Sequence, residues 1–230
     1  MPATPLSRRL TAECVGTFFL VLTIGLTVLV GTDLAPVAIA ATLTAMIYAG
    51  GHVSQAHYNP AITLAFWLRG TFPAREIGPY AGAQVAGAVL ASLAVRGVTD
   101  RFLVVSPGVG TGLGSFALLE LLFTFALALV ILNVATAPTL RGNDHYGIAI
   151  GLVVLGGAYA AGPISGGAFN PAVALGPALV ALALGHEGAL SGLWVYLAAT
   201  SVGAALAVPV YFAMNGRDAP EASGGRGDAA

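Results

Sequence analysis

The sequence predicts an all-α membrane protein of six spanning helices and two shorter half-helices, arranged as an inverted repeat. Composition is the first reason. Of 230 residues, 57% are hydrophobic and only 8% charged, with a mean hydropathy of +0.86. A soluble domain carries about 25% charged residues, so this chain lacks the charge to cover a surface facing water. The second reason is a tripeptide found twice, Asn59-Pro60-Ala61 and Asn170-Pro171-Ala172. Asn is a favoured N-cap and Pro a favoured first helical residue, so each copy starts a helix. Each is followed by roughly ten apolar residues, half of the ~20 that a membrane span requires. The third reason is the wording that leads into each copy: Val53-Ser54-Gln55-Ala56-His57-Tyr58 before the first and Ile164-Ser165-Gly166-Gly167-Ala168-Phe169 before the second.

Taken in order, Arg8-Arg9 precede an apolar run from Leu10 to Val30. A signal peptide is the rival reading of that run. Glu13 inside it, its length and the lack of a small-residue cleavage site favour a retained first span. A second span follows the Thr32-Asp33 turn, from Ala35 to Gly50, and His52 to Tyr58 reads as a polar loop into the first short helix, which ends near Leu68. Arg69 and Arg75-Glu76 mark a return to water, and Ile77 to Val95 makes the third span. The polar interval from Arg96 to Gly114 is the midpoint. The second half replays this order with a span from Ser115 to Ala135, a loop at Thr139 to Tyr146, a span from Gly147 to Ala161, an irregular segment from Pro163 to Phe169, and the second short helix from Asn170. After Gly185-His186-Glu187, Leu190 to Met214 is the last span. Six spans of ~20 residues with their loops nearly exhaust the chain. A single channel domain over residues 1–214 is expected, with repeats at 8–97 and 113–214, and a disordered tail over 215–230, where Gly, Asp and Arg are frequent.

Three spans is an odd number, so the second set enters from the opposite side and the repeats are inverted. Arginine sets the orientation, since the chain has no lysine: Arg8, Arg9, Arg69, Arg75, Arg141, Arg217 and Arg226 fall on one side, Arg96 and Arg101 on the other. This bias puts both termini in the cytoplasm of a multi-pass protein of the plasma (inner) membrane. A formal net charge of −1 gives no sign of a nucleic-acid partner, and Cys14, the only cysteine, excludes an intrachain disulfide and a cysteine metal cluster. No cofactor or metal is expected.

Lipid tolerates no open backbone, so the segments before the two half-helices have to lie against protein or line a watery path. Two helices of about ten residues, each about 15 Å long and entering from opposite faces, meet near the middle of a ~30 Å core with their N-termini facing. There each Asn oxygen caps its own helix and leaves its NH2 donors free for a passing oxygen atom. Two positive helix ends and two fixed donors disfavour cations and hinder proton relay.

At these residues the chain resembles the aquaporin, or major intrinsic protein, family. The likeness extends to Ala12-Glu13-Cys14-Val15-Gly16-Thr17-Phe18, to Gly51-His52-Val53-Ser54 before His57-Tyr58-Asn59-Pro60-Ala61, and to Trp194-Val195-Tyr196 with Gly203-Ala204-Ala205-Leu206. The resemblance implies an hourglass fold, a homotetramer with one pore per subunit, and passive permeation of water or small uncharged solutes. Glu13 and Glu120 each lie inside a span, where an unpaired carboxylate is costly. They read either as proton relays or as acceptors for the backbone of the re-entrant loops, and the resemblance favours the second. His52 and His57 are likewise expected to support the loops, because two histidines five apart with no third partner make a poor metal site. His145, in a loop, could titrate near neutrality.

The chain departs from the resembled family at its outer constriction. Most members carry an arginine three positions after the second Asn, and here that residue is Val173. Counting through the matched motifs puts the other wall positions at Ile39, Ala158 and Gly167, where water-selective members carry an aromatic at the first and a histidine at the second. The expected filter is wide and uncharged. It suits glycerol, urea, neutral arsenite or methylated arsenicals as well as water, and a bacterial branch associated with arsenic resistance resembles this chain in carrying valine at that position. The alternatives are an ordinary water-selective aquaporin, or selection by another layer of the pore. A secondary transporter shares inverted repeats but needs a coupling site, and no carboxylate lies near either half-helix start. An intramembrane hydrolase needs a nucleophile and a base. Ser165 lacks the Gly-x-Ser spacing, and no His or Lys occurs in a second-half span, so no enzyme is expected.

Overall fold

The computed structural model describes residues 4–217, and eight α-helices order them: α1 Leu6–Val30, α2 Ala35–Ser54, α3 Pro60–Arg69, α4 Ile77–Thr99, α5 Leu113–Thr136, α6 Tyr146–Ser165, α7 Pro171–Ala183 and α8 Leu193–Asn215. Six of these are long and apolar enough to cross a membrane, and α3 and α7 are the two half-helices. The expected tail falls mostly on residues 218–230, outside the described residues; Asn215 is still helical.

Several boundaries differ from the sequence reading, for a common reason. His52 to Tyr58 reads as a loop, yet α2 continues through Gly50-Gly51 to Ser54 and stops only where Gln55 takes a left-handed conformation, its N–H bonding to Gly51 O. Gly50 is there for room rather than for a turn, since the Tyr58 hydroxyl occupies the space its Cβ would need. In the same way α6 runs through Pro163 to Ser165 and ends at left-handed Gly166. The second half-helix has 13 residues, longer than the ten of the first, and passes through Pro177.

The long helices pair within each half. On α4, a Cβ at Gly87 would run into the backbone carbonyl of Cys14 on α1, and on α8 a Cβ at Gly203 would do the same to Leu121 on α5. Small residues let backbones approach closely where apolar surroundings give helices no hydrophobic reason to associate. The outward faces stay apolar: Phe19, Leu90, Leu122, Leu152 and Leu206 are all exposed. α2 and α6 join the halves, with Thr44 Oγ1 donating to Gly147 O at 3.3 Å and Tyr48 Oη to Asp144 O at 2.9 Å. α3 is fixed at its far end to α8 by buried Arg69, which donates to Tyr211 Oη at 2.9 Å and lies over that ring.

Gly87→Ala is expected to lower stability by about 1–3 kcal/mol through overpacking, read as a lower thermal midpoint in detergent. Gly82→Ala on the same helix, where a Cβ meets nothing within 4 Å, should not lower it.

Candidate functional site

Each half-helix is preceded by an irregular segment whose backbone N–H groups need acceptors inside the membrane. A carboxylate supplies them in both halves. Glu13 Oε1 accepts from Ser54 Oγ (2.7 Å) and His57 N (3.0 Å), and Oε2 from Tyr58 N (2.7 Å) and Gln84 Nε2 (2.8 Å). Glu120 Oε1 accepts from Ser165 Oγ (2.7 Å) and Ala168 N (3.1 Å), and Oε2 from Phe169 N (2.8 Å). Both glutamates are fully buried and ringed by donors, the surroundings that suit an acceptor-only side chain. Ser54 and Ser165 in turn accept from Ala56 N and Gly167 N, and Tyr80 and Tyr196 donate to the Ser54 and Ser165 carbonyls.

Held in this way, Tyr58 and Phe169 both adopt φ 48°, a left-handed conformation that neither side chain favours, and the chain turns into the helix. Asn59 and Asn170 follow with extended backbones, and Pro60 and Pro171 fill the first helical positions, where no N–H is missed. Asn59 Oδ1 accepts from Ala61 N and Asn170 Oδ1 from Ala172 N, both at 2.9 Å. The amide nitrogens do not stay as free as the sequence reading has them. Asn59 Nδ2 donates to Phe169 O and Asn170 Nδ2 to Tyr58 O, each at 2.8 Å, so one N–H of each amide ties the halves together.

Around this waist runs a cavity of about 400 Å³ with walls from both halves. Asn59 and Asn170 line it, and so do Ile39, Ala158, Gly167 and Val173. Among the described residues, none lining it is Arg, Asp or Glu. Cys14 is not part of the wall.

The two histidines part company. His57 is 3% exposed, its N–H held by Glu13 and its ring 4.2 Å from that of Phe66. Its Nδ1 lies 3.1 Å from Thr63 Oγ1. Thr63 gives its one hydroxyl proton to Asn59 O and accepts from Gln84 Nε2, so the Nδ1 of His57 is assigned as a donor to it. His52 does not join this network. It sits exposed in the last turn of α2, with no side-chain hydrogen bond among the described residues, because the helix outlasts its glycines and the loop begins only at Gln55. His145 caps the start of α6, where its carbonyl accepts from Ala149 N. No group of three or more His, Cys, Asp or Glu that could hold a metal occurs among the described residues.

Gln84, Thr63, Ser54 and Ser165 escaped sequence reasoning. The serines carry a signal, because they hold matched places in the repeated wording. Gln84 carries the same one as Glu13, a polar side chain in the middle of a span.

The family model described as major intrinsic protein matches residues 2–211. The chain belongs to the major intrinsic protein family. "Aquaporin NIP1-3" of Oryza sativa subsp. japonica is 37% identical over 226 residues, covering 93% of this chain and 76% of that protein. "Nodulin-26" of Glycine max is 36% identical over 230 residues, covering 95% and 82%. The X-ray structure of the aquaglyceroporin from Plasmodium falciparum superposes with a TM-score of 0.82 at 24% identity, covering 90% of this chain and 96% of that one, and shows the hourglass fold. As a major intrinsic protein, the chain is a membrane channel and not an enzyme.

Glu13→Ala and Glu120→Ala should each strand buried donors at about 1–3 kcal/mol apiece, seen as a lower thermal midpoint together with lost water flux. Thiol-specific mercurials should leave water flux unchanged, since Cys14 is outside the cavity wall; inhibition reversed by added thiol would put Cys14 on the pathway.

Proposed function

We propose that the chain is a passive channel for small uncharged solutes wider than water, among them glycerol-like molecules and neutral metalloids such as arsenite as its acid or methylated arsenicals, with water passing as well. One observation carries this reading: Val173, Ala158, Ile39 and Gly167 line the same cavity as the two asparagines, with no Arg, Asp or Glu beside them among the described residues. A short aliphatic wall supplies little to water but gives contact to the apolar side of a larger neutral solute, while the asparagine amides serve its oxygens. On this reading the resemblance to the bacterial arsenic-associated branch, read from Val173, extends to the permeant, and the plant relatives named above share the channel class.

The carboxylates support a channel over an ion-coupled transporter. Glu13 and Glu120 are fully buried, saturated with donors and absent from the cavity wall, which leaves a coupling ion without a carboxylate on the path. The chain is proposed to work as a homotetramer in the plasma membrane, with the face carrying both termini in the cytoplasm, in keeping with the arginine bias. Residues 1–214 are proposed to form the whole channel domain.

Swelling of proteoliposomes in glycerol, urea and a neutral arsenical tests the reading. The wild type should pass all three without saturation or dependence on an ion gradient. Val173→Arg should cut glycerol and arsenical flux about tenfold or more, a barrier rise of ~1.4 kcal/mol, while retaining water flux. Solute flux unchanged by that substitution would exclude Val173 as a filter residue.

A further inference from the structure

The inverted repeat has a consequence for where the pore is narrowest. Matched residues of the loops and half-helices differ by 111 positions: Ser54 with Ser165, Tyr58 with Phe169, Asn59 with Asn170. These pairs make equivalent hydrogen bonds, so the shift is structural as well as textual. Applied to the four filter positions, it pairs Ile39 with Ile150, Ala158 with Ile47, Gly167 with Ala56, and Val173 with Ile62. All four partners line the same cavity.

Their level along the pore follows from the helices. α2 and α6 run antiparallel, with Thr44 against Gly147 and Gly151, so Ile47 and Ile150 lie toward the terminal face and Ile39 and Ala158 toward the opposite face. Ile39 and Ile47 are eight residues apart, about 12 Å of helix, which puts the two rings on opposite sides of the asparagine waist. Ile62 lies three residues beyond Asn59, as Val173 does beyond Asn170.

Compared position by position, the inner side chain is never the smaller. Isoleucine matches isoleucine at one place, isoleucine stands against alanine at the second, isoleucine against valine at the third, and alanine against glycine at the fourth. Ile47, Ile62 and Ile150 are 3%, 1% and 6% exposed and Val173 and Ile39 2% and 8%, while Ala56 of the inner ring and Ala158 and Gly167 of the outer one are partly open. Outside the waist the segment before α5 also lines the cavity, through Leu103, Val104, Val105 and Ser106.

We propose that the size cut-off of this channel is set by the ring of Ile47, Ala56, Ile62 and Ile150 on the terminal side of the waist, and not by the outer ring that contains Val173. The outer ring admits a solute and the inner ring rejects it by width. This rests on the reading of the cavity as a pathway for neutral solutes.

The test is proteoliposome swelling with urea, glycerol and erythritol, each scaled to water flux in the same vesicles, for the wild type, Ile47→Ala, Ile62→Val and Val173→Ala. Ile47→Ala gives the inner ring the residue that the outer ring already has at that place, and should raise the erythritol-to-water ratio about tenfold. Ile62→Val, a change that cores tolerate, should raise it about threefold. Val173→Ala should raise it less than either. A shift with Val173→Ala equal to or larger than that with Ile62→Val overturns the proposal, and so does no shift with Ile62→Val; because that variant folds readily, a failure of Ile47→Ala to fold leaves the outcome decidable. A wild type that passes water but no glycerol would defeat the wide-pore reading alone, and the ring would then be judged by which variant first admits glycerol.

Discussion

The reciprocal hydrogen bonds at the waist, Asn59 Nδ2 to Phe169 O and Asn170 Nδ2 to Tyr58 O, are the constraint on which the rest of the structure depends. A ten-residue helix preceded by an open loop has no stable place in lipid by itself, since its unpaired backbone groups would each cost several kcal/mol. Two such segments, inserted from opposite faces, satisfy one another. Each asparagine caps its own helix with the oxygen and binds the other loop with the nitrogen, so the two half-helices hold each other at the waist.

That arrangement requires two loops to hold a shape the backbone resists. Tyr58 and Phe169 stay left-handed because their N–H groups are clamped by Glu13 and Glu120, and each clamp reaches back through a serine to the end of the preceding long helix. Close packing of α1 on α4 and of α5 on α8 brings each carboxylate to its loop, which is why glycines stand where those helices cross. Both carboxylates are thereby kept off the cavity wall, which carries no Arg, Asp or Glu among the described residues. The first half carries more of this scaffolding than the second. Gln84 and Thr63 extend the Glu13 network to His57, while Ala168, the counterpart of His57, has no side chain to continue it.

Much of the fold was legible because the sequence states it twice. Composition identified the solvent, the paired Asn-Pro-Ala located both half-helices, and the odd number of spans per half required inversion. The wall positions Ile39, Ala158, Gly167 and Val173 came from motifs matched to the resembled family, and all four line the cavity. Helix ends were harder. Gly50-Gly51 and Pro163 read as breaks, but inside a packed bundle glycine makes room for Tyr58 and a proline costs one hydrogen bond, so both helices continue and His52 is carried away from the loop. The crossing of the asparagine amides was not legible either, since which acceptor a side chain finds across the molecule depends on how the two halves dock.

Two fixed amides and two opposed helix N-termini should exclude protons without any help from a guanidinium at the outer constriction. The most direct measurement is proton current under a pH gradient, recorded in vesicles whose water permeability is measured in parallel. Rapid swelling is expected, with proton leak no greater than in protein-free lipid. An ohmic proton current that rises in step with water permeability would contradict it.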